Sequence, residues 1–223
     1  MKLCIIYNFA AHYRQGIFKL MDDAFDCAWY FGKSNLDIKK MDYTIFKDKV
    51  IELDVIKLGG LSFQRRVLSL LGKYDSFLIT GDSRSVSTWL FLLFAKLFPR
   101  KKVYLWSHGF YGKESGIESF IKKTVFNLAD GIFLYNNYAR ELMLKKGFKA
   151  SKLHVIHNSL NYDEQVNIRK SIVPSNIYRE HFKNDNPNLI FIGRLTKVKR
   201  LDMLLDAVKL ISKQGQAYNS HCM

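Results

Sequence analysis

Short apolar runs alternate with amphipathic stretches from the first residues onward. Leu3 to Tyr7 reads as a buried strand, and Gln15 to Phe25 as a helix with Ile17, Phe18, Met21 and Phe25 along one side. Cys27 to Phe31 and the partly alternating Val50 to Ile56 predict two more strands. Further strands are predicted at Phe77 to Thr80, Val103 to Trp106, Ile132 to Tyr135 and Leu153 to Ile156. Helical spacing predicts helices near Phe63 to Leu71, Val86 to Phe98, Ile117 to Leu128 and Asn137 to Lys146. Such alternation argues for an α/β fold built on a doubly wound parallel sheet. Leu160 to Pro187 breaks the pattern: it is polar, holds Pro174 and Pro187, and has little apolar periodicity. It is expected to connect two domains. The expected division is a first domain over 1–160, a linker over 161–187, and the first βα unit of a second domain over 188–223.

The segment after the linker carries the densest chemistry. Leu189 to Ile192 reads as a strand, and Gly193 allows a tight turn. Arg194, Lys197, Lys199 and Arg200 crowd that turn. A helix follows, with Leu201, Leu204, Leu205, Val208 and Ile211 on one face. A helix N-terminus offers unpaired N–H groups and a positive dipole end, and Arg and Lys add full charge, so this is a place for a phosphate. A solvated basic turn in an ordinary α/β unit is the competing reading. The polar tail from Ala217 does not read as another strand.

GRLTKVKRLDMLL resembles the signature that opens the second domain of family-4 (group 1) glycosyltransferases, which have the two-Rossmann-domain GT-B fold. The resemblance implies that Arg194 and Lys199, with Gly193 at the turn, hold the diphosphate of a nucleotide-sugar donor. Arg200 stands where the family usually has glycine. Residues 129 to 161 are similar to the family's first-domain ending, with Asn158-Ser159 in place of an Asn-Gly turn. The sequence ends at Met223, and the Glu-seven residues-Glu segment that binds the donor sugar and nucleotide in that family is not in it. A Rossmann-like first domain plus an incomplete second one is therefore expected, with weak or no turnover by this chain alone. A non-catalytic acceptor-binding half of a split enzyme, or an inert remnant, is the alternative.

In an open α/β sheet, ligands bind beyond the carboxyl ends of the strands. After the first strand, His12, Arg14 and Gly16 are candidate acceptor or loop contacts, against a plain surface loop. Asp82 or Ser83 is expected to cap the helix after Thr80, and Asn137 the one after Tyr135. His108 follows the strand ending at Trp106. The resembled enzymes carry a His at this place, near the reacting sugar, which makes His108 the catalytic candidate; a structural histidine is the alternative. Gly112, Lys113 and Glu114 suggest a mobile loop. The resemblance further implies retention of configuration, no cofactor beyond the nucleotide sugar as substrate, no metal, and a glycan or lipid-linked acceptor.

Charge widens the choice of partner without deciding it. There are 35 basic and 20 acidic residues, a formal charge of +15, which suits phosphorylated ligands or an anionic membrane surface. No nucleic-acid motif accompanies the scattered lysines, so nucleic acid is not an expected partner. Cys4, Cys27 and Cys222 show no metal-ligand spacing, and a reducing cytoplasm is the default. VSTWLFLLFAKLF, Val86 to Phe98, is too short to span a bilayer. Flanked by Arg100, Lys101 and Lys102, it leaves open a contact with the inner membrane face. No P-loop, no G-x-G-x-x-G after the first strand, no zinc spacing and no G-x-S-x-G elbow occur.

Overall fold

The computed structural model describes residues 2–33, 38–158, 161–193 and 195–222. The chain forms two compact units, Met1–Val166 and Asn167–Met223. The first opens with β1 (Leu3–Tyr7), α1 (Gln15–Ala24), β2 (Cys27–Gly32) and β3 (Ile51–Leu53). A hairpin of β4 (Val55–Leu58) and β5 (Leu61–Gln64) follows. Then come β6 (Ser76–Thr80), α2 (Val86–Ala95), β7 (Lys102–Ser107), α3 (Gly116–Asn127), β8 (Gly131–Leu134), α4 (Asn137–Lys145) and β9 (Leu153–Val155).

Seven strands form one parallel sheet in the order β3-β2-β1-β6-β7-β8-β9. Successive strand residues point to opposite faces, and each face is buried. Cys4, Ile6, Phe77, Ile79, Leu105 and Ile132 face α2, α3 and α4, meeting Phe91, Leu92, Val125, Phe126 and Met143. Ile5, Tyr7, Trp29, Phe31, Leu78 and Trp106 face the other way, where Phe18 of α1 packs against them. Phe18 alone touches the rings of Tyr7, Trp29, Phe31 and Trp106.

Two expected elements of the first unit differ. The run Val50 to Ile56 is two strands, because β3 pairs parallel with β2 while β4 pairs antiparallel with β5. Phe63 to Leu71 is not one helix: it begins in β5 and ends in a 3-10 helix. Gly59 and Gly60 take φ of 54° and 82° and turn the chain into the hairpin, and Arg66 at φ 62° separates β5 from a 3-10 turn, Val67–Gly72. The stretch expected as the linker, 161–187, holds α5 (Tyr162–Ser171) and α6 (Ile177–Phe182). In α5, acids lie in the first turn and bases in the last, which suits the helix dipole although no residue is buried.

The second unit contains β10 (Asn188–Phe191), α7 (Leu201–Lys213) and β11 (Asn219–Cys222), a parallel βαβ unit. The polar tail is thus a strand after all. Its register is held by side-chain amides: Asn219 is buried and donates to Asn184 at 2.9 Å and to Asn188 at 3.0 Å. Leu201, Leu204, Val208 and Ile211 form the half-buried face of α7. Ile190, Ile192, Met203, Leu205 and Leu210 stay exposed.

Candidate functional site

The sheet order reverses at β1. From there the chain runs outward through β2 and β3, returns to the other side of β1 as β6, and continues outward to β9. The loops after β1 and β6 therefore diverge and leave a crevice at the carboxyl ends of the strands. A cavity of about 490 Å³ occupies it, lined among others by Tyr7, Arg14, Asp82, Trp106, His108, Lys122 and Tyr135. The β4–β5 hairpin walls a neighbouring cavity of about 290 Å³, which shares Asn8, Phe9, Thr80, Asp82 and Arg84 with the first.

Arg14 sits on the cleft floor, only 7% exposed. Its Nη2 donates to the Tyr135 hydroxyl at 3.0 Å, and that hydroxyl lies 3.3 Å from the Tyr7 hydroxyl. The guanidinium carbon lies 5.3 Å from the Tyr135 ring centre and 5.6 Å from that of Trp106, a cation–π setting. Burial pushes the Tyr7 hydroxyl well above the usual tyrosine range, so it stays protonated.

His108 leans on Tyr135, with ring centres 4.3 Å apart, and on Tyr111 at 5.9 Å. Its turn is fixed by Ser107, whose hydroxyl donates to the Gly81 carbonyl at 2.7 Å and accepts from the Gly109 amide at 3.1 Å. Gly109 takes φ of 66°, where a Cβ would also come within 2.9 Å of Leu134 Cδ2. Burial, then the Arg14 and Lys122 charges, hold the His108 pKa below its ordinary value. At neutral pH the ring is an uncharged imidazole, able to accept a hydrogen bond from a hydroxyl.

The loop expected to be mobile is tied down. Glu114 accepts from the Tyr111 amide at 2.7 Å and the Gly112 amide at 3.0 Å. It also pairs with Lys122 of α3 at 3.0 Å, the two side chains being 3% and 8% exposed. Burial raises the Glu114 pKa, but the Tyr111 amide and Lys122 outweigh it and hold the group at about 2. Lys122 in turn lies 4.9 Å from the Phe110 ring centre and 5.0 Å from that of Tyr111.

The other expected residues divide among several places. His12 is exposed, its Nδ1 lies 3.1 Å from the Lys39 carbonyl oxygen, and with Gly16 it lines a separate groove beside Lys39, Lys40 and Asn161. At Gly16 a Cβ would come within 2.9 Å of Asn161 Cβ, so glycine there serves chain packing. Ser85, not Asp82 or Ser83, caps α2, and Asn136, not Asn137, caps α4, accepting from the Ala139 amide at 2.8 Å. Asp82 instead accepts from the Arg84 amide at 2.9 Å.

In the second unit, Arg194 lies outside the described residues, as does Ser159 in the first. Gly193 has no left-handed backbone, and a Cβ there would meet the Phe191 ring at ordinary contact distance. Lys199 is exposed in the turn Lys197–Lys199 before α7. Arg200 adopts φ of 50°, the left-handed region that favours glycine, and its guanidinium grips Asp202 at 2.9 to 3.1 Å. That backbone conformation is one glycine adopts at less cost than arginine.

Sequence reading missed Tyr7, Trp106 and Lys122, all of which look like element-interior residues. Among the described residues no His, Cys, Asp or Glu group could hold a metal, and no helix is long and apolar enough to cross a membrane. Cys4 and Cys27 are buried free thiols whose pKa values burial pushes up, to about 11 for Cys27.

No protein-family model matches the chain. No curated protein matches it either. Solved structures do. The lipopolysaccharide outer core galactosyltransferase WaaB, in its apo form, superposes with a TM-score of 0.58 at 16% identity, over all of this chain and 60% of its own. HepE of Anabaena, in complex with UDP and glucose, gives 0.59 at 17% identity, over 93% of this chain and 57% of its own. The UDP-GlcNAc 2-epimerase of Neisseria meningitidis, bound to UDP-GlcNAc, gives 0.55 at 13% identity, over all of this chain and 72% of its own. The chain spans about 60% of the length of WaaB. Its fold is the Rossmann-like α/β fold of GT-B proteins.

Proposed function

We propose that this chain is the acceptor-side portion, with the opening of the donor side, of a family-4-type glycosyltransferase. The whole enzyme moves a sugar from a nucleotide diphosphate to a glycan or lipid-linked acceptor, and this chain alone turns over weakly or not at all. The supporting observation is the cleft at the sheet's reversal point, where an uncharged His108 lies beside a buried Arg14. In the proposed reaction an acceptor hydroxyl oxygen bonds to the anomeric carbon of the donor as the bond from that carbon to the diphosphate breaks. The bonding pair leaves with the diphosphate, and the hydroxyl proton passes to a phosphate oxygen, with configuration retained. His108 accepts a hydrogen bond from a sugar hydroxyl and fixes its orientation; the resemblance assigns diphosphate binding to Lys199 and Arg194 of the second unit. Basic side chains take the place of a metal in this scheme.

A peripheral membrane contact belongs to the same proposal. Leu93, Phe94, Leu97 and Phe98 are exposed at the end of α2, beside Lys96 and Arg100. Binding to anionic vesicles that weakens with salt supports it, and no binding at low salt refutes it.

The reaction is tested by incubating the protein with a panel of labelled nucleotide sugars and membrane-extracted acceptors. Label transfer that falls at least about tenfold in His108→Ala supports the reading. Epimerised nucleotide sugar without transfer would assign the cleft to the chemistry of the epimerase-like neighbours instead. Absence of both nucleotide-sugar binding and transfer refutes the proposal.

A further inference from the structure

Two residues that line the cleft each hold a buried donor without an acceptor among the described residues: Arg14 Nη1 and Trp106 Nε1. Both residues line the cavity, and the guanidinium lies against the Trp106 ring, 5.6 Å from its centre. Arg14 makes one side-chain hydrogen bond, to Tyr135, and no ion pair among the described residues. A guanidinium does not discharge by losing a proton, so its burial must be offset by a partner. Lys122 in the same cleft shows the contrast, since Glu114 neutralises it at 3.0 Å. Among the described residues, Lys122 has a carboxylate partner, whereas Arg14 has rings and a neutral hydroxyl. An orphaned buried group in a cavity calls for an explanation beyond stability.

We propose that Arg14 anchors an oxyanion subsite in this cleft, and that the acceptor sugar carries the oxyanion, as a carboxylate or a phosphate. The inference rests on the cleft being the acceptor site. A neutral hydroxyl could satisfy one N–H but would leave the charge unmatched, whereas a carboxylate or phosphate takes two guanidinium N–H bonds at once. The cavity of about 490 Å³ leaves room for a sugar beside that group. Nη1 has no free surface, so binding must draw the guanidinium toward the cavity and strain its bond to Tyr135. His108 and Arg14 both lie against the Tyr135 ring, so the anion sits beside the proposed catalytic histidine.

The test is a ligand-observed NMR titration of the unaltered protein with glucose, glucose 6-phosphate and glucuronate. The expected result is at least about tenfold tighter binding of one charged sugar than of glucose. The better of the two identifies phosphate or carboxylate. Arg14→Gln should abolish the preference, and Arg14→Lys should keep part of it. Should Arg14→Gln fail to fold, the His108 ring resonances of the unaltered protein carry the test. They must move with the preferred charged sugar and stay still with equal glucose. Equal binding of charged and neutral sugars overturns the anion subsite but leaves the acceptor cleft standing. A preference that survives Arg14→Gln places the anion elsewhere and also overturns it. Failure of every sugar to bind overturns both readings.

Discussion

Replacing Glu114 by Gln removes one charge from the pair that ties the loop after His108 to α3. The shape is nearly kept, and one oxygen can still accept from the Tyr111 or Gly112 amide. Lys122 loses its counter-ion while staying packed against Phe110 and Tyr111. The size of the effect follows from the Glu114 pKa, held at about 2 against an ordinary 4.5. At full value that shift corresponds to roughly 3 kcal/mol. The glutamine keeps one amide bond, which reduces the loss to about 2 kcal/mol. For a unit of this size that is a fall in Tm of roughly 4–8 °C. The folded pKa lies below the unfolded one, so the stabilisation is complete above about 4.5 and is lost as pH falls toward 2. Urea unfolding of wild type and variant at pH 7 and pH 3 tests this, and the gap should shrink by about half at pH 3. Equal stabilities at pH 7, or a gap that does not change with pH, would refute the reasoning.

Other consequences are as direct. His108 should titrate below 6.5 in an NMR pH series, and Arg14→Gln should raise its pKa; a value at or above 6.5 contradicts the buried, cation-flanked setting. Because its folded pKa is the lower one, its contribution to stability is complete above 6.5 and is lost as pH falls through the folded value. Gly109→Ala forces a Cβ toward Leu134 at φ 66° and should cost about 1–3 kcal/mol, read as a lower thermal midpoint together with shifted His108 resonances. An unchanged midpoint would mean that the turn relaxes freely. Arg200→Gly should relieve about 1 kcal/mol of backbone strain before α7. Slower amide exchange in α7 would show it, and unchanged or faster exchange would count against it.

Most of the first unit was legible because buried parallel strands appear as short apolar runs. Leu3 to Tyr7 was read to the residue, and α3 and α4 to within one. The hairpin was missed although Gly59-Gly60 between Leu58 and Leu61 is a turn signal, since Phe63 to Leu71 also fits a helical period. α5 and α6 have no buried residue to announce them. β11 is held by asparagine amides, which no hydropathy pattern reveals. In the site, Arg14 and His108 could be picked out because they follow strand ends. Tyr7 and Trp106 lie inside strands and read as core, which they also are. The Glu114–Lys122 pair spans eight residues across a loop and a helix start, a separation no helical spacing rule flags.

The hydroxyls of Tyr7 and Tyr135 meet across 128 residues of sequence. During synthesis the first is made early and the second near the end of this unit, and β1 waits for β6 before its second edge is paired. A chain still emerging from the ribosome therefore owns Arg14 but not its tyrosine partner. The buried guanidinium can be housed only when β8 has closed against β7. Non-local assembly of this kind is slow and leaves apolar strands unpaired meanwhile. Ligand capture at Arg14 would then report a finished sheet, and partly made chains would compete for chaperones rather than for substrate.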